Sequence, residues 1–131
     1  MLSGSNNKRL PSPIYSKALE IFSISKHISY YMTDELAVLR DDGQEDPAIY
    51  FGGDIVQQSE NLAPEILKAE NETYTDKKYK HAASVNRLIE RLQRNCERLE
   101  NVSSNGRDFL PLLKREIGKF RKLQRSWMLT F

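Results

Sequence analysis

The chain of 131 residues has one cysteine, two histidines, six glycines and five prolines, and each scarcity removes a class of answer. With Cys96 alone, neither a disulfide framework nor a thiolate metal cluster can form within the chain. Cys96 sits in an apolar helical pattern with no histidine or helix start beside it, which reads as a core residue rather than a nucleophile. His27 and His81 fall in no ligand spacing such as His-x-x-x-His or Glu-x-x-His. Metal sites need several converging donors, so no metal and no cofactor is expected. Gly52-Gly53 lacks a following Lys-Ser or Lys-Thr and is no phosphate loop. The pair reads instead as a close packing point or a helix start near Asp54. No apolar run approaches the roughly 20 residues of a membrane helix, and residues 1–9 are polar with no hydrophobic segment after them. Neither a membrane span nor a secretory signal is expected, and a reducing, cytoplasmic location follows. No set of acids, bases and nucleophiles converges by spacing, so no catalytic residue is assigned and the chain reads as non-enzymatic.

What the chain does have is helix. An apolar share of 39% beside 29% charged residues suits one folded core, and the length suits one domain. Residues 1–11 read as a disordered leader, and residues 12–131 as a single bundle. Ser12 followed by Pro13 is an N-cap with proline at the first helical position, opening a helix over 13–32. Its apolar residues are Ile14, Ala18, Ile21, Phe22, Ile28 and Tyr31. Thr33 and Asp34 offer a second cap and a short helical turn over 34–40. The acidic segment DDGQEDP at 41–47 is a turn between antiparallel helices. A second helix is expected over 48–69, burying Ile49, Ile55, Val56, Leu62, Ala63, Ile66 and Leu67, with Pro64 kinking it about one turn upstream. Thr75 and Asp76 cap a third helix over 75–101. The loop signal NVSSNG at 101–106 separates it from a fourth over 108–127, with Pro111 in the first turn and Leu110, Leu113, Ile117, Phe120 and Trp127 on one side. Gln124 interrupts that side once. Four helices on short loops describe an all-α, up-and-down antiparallel four-helix bundle.

The third helix carries two stripes. Ala82, Val85, Ile89, Leu92, Cys96 and Leu99 recur at intervals of three and four, the seam of a helix packed lengthwise on others. Lys80, Arg87, Arg91, Arg94 and Arg98 stand about half a turn away, an outward basic stripe. The fourth helix adds Lys114, Arg115, Lys119, Arg121, Lys122 and Arg125 against the single Glu116. Net charge is only +2, yet residues 1–70 hold six Lys or Arg against eleven Asp or Glu, a net of −5. Residues 71–131 hold fourteen against seven, a net of +7. Such polarity steers an acidic ligand such as RNA or DNA to one side, or docks basic helices on the acidic segment 34–46 of a neighbour. A solvated face trimmed by pairs such as Glu90 with Arg94 produces the same pattern. Tyr30, Tyr31, Tyr50, Phe51, Tyr74 and Tyr79 gather near helix ends, where they stack on bases or cap the bundle.

The order of three segments, YSKALEIF at 15–22, DIVQQSENLAPEI at 54–66 and KKYKHAASVNRL at 77–88, resembles a known family. It comprises the four-helix proteins encoded by intervening sequences of 23S ribosomal RNA genes and the accessory variability proteins of diversity-generating retroelements. The resemblance spans roughly residues 13–127. It implies a non-enzymatic up-and-down bundle that assembles into a ring-like homopentamer with a basic surface, serving in the retroelement branch a reverse transcriptase and its template RNA. Where the ribosomal relatives often carry basic residues and a later Glu-Gly on the second helix, this chain has Gln57, Gln58 and KAENET at 68–73. A basic surface must therefore rest on the third and fourth helices.

Overall fold

Three-four apolar spacing makes each of four segments an amphipathic helix, and a computed structural model shows how they combine. It describes residues 10–36, 47–102 and 109–131. Helices α1 (Pro13–Leu36), α2 (Pro47–Asn71), α3 (Thr75–Val102) and α4 (Leu110–Met128) follow in order. Each packs against its neighbour in the chain, and α1 closes on α4. The diagonal pairs α1–α3 and α2–α4 make no close backbone approach among the described residues. Tyr31 at the end of α1 meets Phe109 at the start of α4, while Glu70 at the end of α2 accepts from Trp127 Nε1 near the end of α4. Consecutive helices therefore run antiparallel, the expected up-and-down bundle. No described helix is long and apolar enough to cross a membrane.

The core is built from the expected stripes. Ile14, Ala18, Ile21 and Ile28 of α1 meet Ile55, Leu62, Ala63 and Ile66 of α2, the whole α3 seam from Ala82 to Leu99, and Leu110, Leu113, Ile117, Phe120 and Trp127 of α4. The cap at Ser12 forms as expected, with its Oγ accepting from the Tyr15 amide at 3.3 Å. Pro64 stands inside an unbroken α2, where its missing N–H falls opposite the carbonyl of exposed Glu60.

Several boundaries and burials differ from expectation. Thr33 and Asp34 do not cap a new turn: α1 runs through them to Leu36, and residues 37–46, with most of the acidic segment, lie outside the described residues. Gly52-Gly53 starts no helix, because α2 opens at Pro47. The N-cap of α3 is Tyr74, whose carbonyl accepts the Lys78 amide, rather than Thr75 with Asp76. Glu72 Oε1 takes the amides of Thr73 and Tyr74 just upstream, a carboxylate near the positive end of the helix. Leu67 is 40% exposed and Tyr31 38%, at the flanks of their apolar arcs. The side chains of Ile49, Tyr50 and Phe51, the leader 1–9 and Asp108 lie outside the description.

Two of the buried polar residues interrupt apolar stripes. Ser25 is fully buried in α1 and its Oγ has no hydrogen-bond partner among the described residues. An unpaired buried hydroxyl is unfavourable, so Ser25→Ala raises stability by about 1 kcal/mol, read as a higher urea midpoint at unchanged slope. Gln124, the interruption in α4, is buried and donates through Nε2 to Asn86 Oδ1 on α3 at 3.1 Å. The gap in the hydrophobic rhythm is a polar bridge between two helices.

Candidate anion-binding surface

The seam of α3 turns inward, so its arginines turn outward: Lys80, Arg87, Arg91, Arg94 and Arg98 are all exposed. Which neighbour they stand beside is fixed by the flanks. On one flank His81 Nδ1 meets Glu65 of α2 at 3.2 Å, and Asn95 Nδ2 donates to Gln58 of α2 at 2.9 Å. Opposite, Asn86 accepts from Arg121 of α4, Tyr79 meets Phe131 edge to face, and Glu100 accepts from Lys114 of α4. Arg91, Arg94 and Arg98 lie on the α2 side, around a hollow of about 290 Å³ that they share with Asn95, Asp54 and Gln58. Arg87 donates to Ser84 Oγ, and Arg98 to Asn95 Oδ1. None of the four arginines is within ion-pair distance of a carboxylate among the described residues.

The cations of α4 do not join that row. Spacings of three and four from Asn86 put Glu90, Glu97 and Glu100 on the α4 flank of α3, so a line of carboxylates separates the arginines of α3 from α4. Glu90 accepts from Asn86 Nδ2, and the expected Glu90–Arg94 pair does not form. Lys114 is held by Glu100 at 2.9 Å, whose hydrogen bond raises its pKa above the ordinary lysine range. Arg121, half-buried, and Arg125 line a groove of about 860 Å³ between α3 and α4, together with the apolar Ala82, Ala83, Met128 and Leu129. Lys119 pairs with Glu116 at 3.1 Å. Arg115 and Lys122 are exposed and outside the ion pairs of the described residues. The eleven cations thus form two surfaces.

Glu116, one acid among six cations of its helix, is buried and accepts from Lys17 of α1 at 2.6 Å. Sequence spacing could not flag it, because its partner lies 99 residues away. The hydrogen bond from Lys17 leads the effects that hold its carboxyl down at about 2. Burial opposes ionisation of Glu65, but hydrogen bonds from Lys68 and His81 prevail and keep it below the ordinary range. Burial pushes the Cys96 thiol up to about 12, leaving it protonated and unreactive at neutral pH. No group of three or more metal-ligating side chains occurs among the described residues.

Tyrosines divide as well: Tyr31 and Tyr79 pack on Phe109 and Phe131, whereas Tyr30 is 77% exposed and Tyr74 lies under Lys77. No protein-family model matches the chain, and no curated protein or solved structure matches it significantly.

Proposed function

We propose that this bundle is a non-enzymatic accessory protein, acting as a homo-oligomer, that binds nucleic acid through the arginine row of α3. The observation that carries the reading is the row itself: Arg87, Arg91, Arg94 and Arg98 project from one helix, exposed and without carboxylate partners among the described residues. Guanidinium forks at a spacing of three to four residues suit successive phosphates, and such contacts give affinity without sequence information. Structured RNA therefore binds with an affinity that falls steeply between about 50 and 300 mM salt, because each phosphate contact releases a counterion. Reversing Arg87, Arg91 and Arg94 to Glu abolishes that binding while far-ultraviolet circular dichroism and the subunit count by light scattering stay unchanged. Equal affinity in the triple variant would remove the row from the function.

A second reading has its own observation. The α3–α4 groove combines apolar lining residues with Arg121 and Arg125, which fits an acidic amphipathic segment of a protein partner, such as a nucleic-acid enzyme. In that case Arg121→Glu with Arg125→Glu disrupts the complex and leaves RNA affinity intact.

A further inference from the structure

The hollow between α2 and α3 gathers like charges that repel one another. Arg91, Arg94 and Arg98 face into it, and Asp54, the one carboxylate of its lining among the described residues, is beyond ion-pair distance of all three. Like charges brought together destabilise the surface that holds them until an anion enters. Beneath them lies a fixed support. Asn95 is 95% buried, since only 5% of it is exposed, and it donates through Nδ2 to Gln58 Oε1. That bond turns its Oδ1 toward Arg98, whose Nη1 it accepts at 3.4 Å. Gln58, with its oxygen so occupied, has an Nε2 donor with no partner among the described residues. The lining therefore presents three guanidinium forks and one carboxamide donor, against the single carboxylate of Asp54 one turn from Gln58.

We infer that this hollow is a pocket for a phosphate monoester, and that in the nucleic-acid reading proposed above it takes the phosphorylated end of a strand. Charge selects the ligand. Three guanidinium groups and one carboxylate leave a net charge of +2. A monoester carries about −1.5 to −2 at pH 7 and three terminal oxygens, whereas an internal phosphodiester carries a single charge. Shape agrees. The 290 Å³ of space lies at the lower edge of small-molecule sites, commonly about 300–1,000 Å³, which suits a phosphate with its sugar. Among the described residues the lining is polar and charged, with no aromatic side chain, which suits the phosphate rather than a stacked base. Arg87, outside the hollow, extends the row along the strand that follows.

The test compares one single-stranded RNA with a phosphate at either end against the same strand with hydroxyl ends, bound to the full chain at fixed salt. The phosphorylated strand binds about tenfold tighter or more, the effect of an added charge-assisted hydrogen bond. Arg94→Gln with Arg98→Gln, both exposed positions, removes the preference, while Arg87→Gln weakens every form and keeps the ratio. Asp54→Asn strengthens the preference by removing the opposing charge. Equal binding of all forms overturns the pocket and leaves the nucleic-acid reading standing. If no RNA binds, that reading fails by itself, and pyrophosphate decides the pocket. Thermal stabilisation by pyrophosphate that is lost in Arg94→Gln/Arg98→Gln supports it, and absent stabilisation overturns it.

Discussion

Replacing Phe120 by Ala lowers the stability of the bundle by about 3–5 kcal/mol, the usual toll for emptying a fully buried aromatic position. Phe120 is the largest fully buried side chain among the described residues and sits at the middle of the α4 stripe. Its neighbours in that stripe, Ile117, Gln124 and Leu113, are tied to fixed backbone and can collapse into the space only in part. A domain of this size has about 5–15 kcal/mol in hand, so the variant unfolds at a much lower urea concentration. Leu112→Ala on the same helix is the control, because Leu112 is 37% exposed and loses little on truncation. Midpoints of the two variants that shifted equally would contradict the core described above.

Acid acts on the bundle through Glu116. Its carboxyl is held at about 2 in the folded chain, against an ordinary value of 4.5, so folding favours the ionised form. The stabilisation is fully present above pH 4.5 and disappears as pH falls from there toward 2. That lowering corresponds to about 3 kcal/mol, the order expected of a buried carboxylate held by two lysines. Wild-type stability therefore drops by about that amount between pH 5 and pH 2 on account of this group, as followed by urea titration at each pH. Glu116→Gln starts lower at pH 7 and shows a flatter curve across the same interval. Lys17→Met leaves the carboxylate buried with Lys119 alone and costs about 2 kcal/mol at pH 7. Lys17 itself, raised first by its hydrogen bond to Glu116, keeps its side of the bond until pH exceeds its ordinary 10.5. Wild type and Glu116→Gln losing stability in parallel below pH 5 would show that other carboxylates carry the acid response.

Much of the architecture can be read from single helices. The α3 seam from Ala82 to Leu99 and the α4 stripe from Leu110 to Trp127 are buried as their spacing dictates, since one apolar arc has one place to go. Charge on a helix is less informative. Glu116 has the phase of a core position, but a lone acid among cations reads as solvent-facing until Lys17 arrives from α1. Ser25 reads as a weak helix former and stands in the core because its phase matches Ile21 and Ile28. The arginine row was visible in phase, but its neighbours were not. Sequence says that Arg91, Arg94 and Arg98 point away from the seam; only the packed bundle places α2 beside them and α4 across the carboxylates. That handedness comes from how helices pair, and no spacing within one helix encodes it. Asn95 shows the same limit, being polar, next to Arg94 and yet buried against Gln58.

The closure of α1 on α4 has a consequence in time. Contacts between α1 and α2, α2 and α3, and α3 and α4 join segments adjacent in the chain, and such pairs zip within microseconds to milliseconds. The Lys17–Glu116 bond instead joins positions 99 residues apart. Closing so long a loop forfeits chain entropy before any contact rewards it, and the loss grows only slowly with further length. Docking of the first helix on the last thus follows the pairing of neighbours along the chain. Weakening that seam accelerates departure from the native state more than it slows arrival.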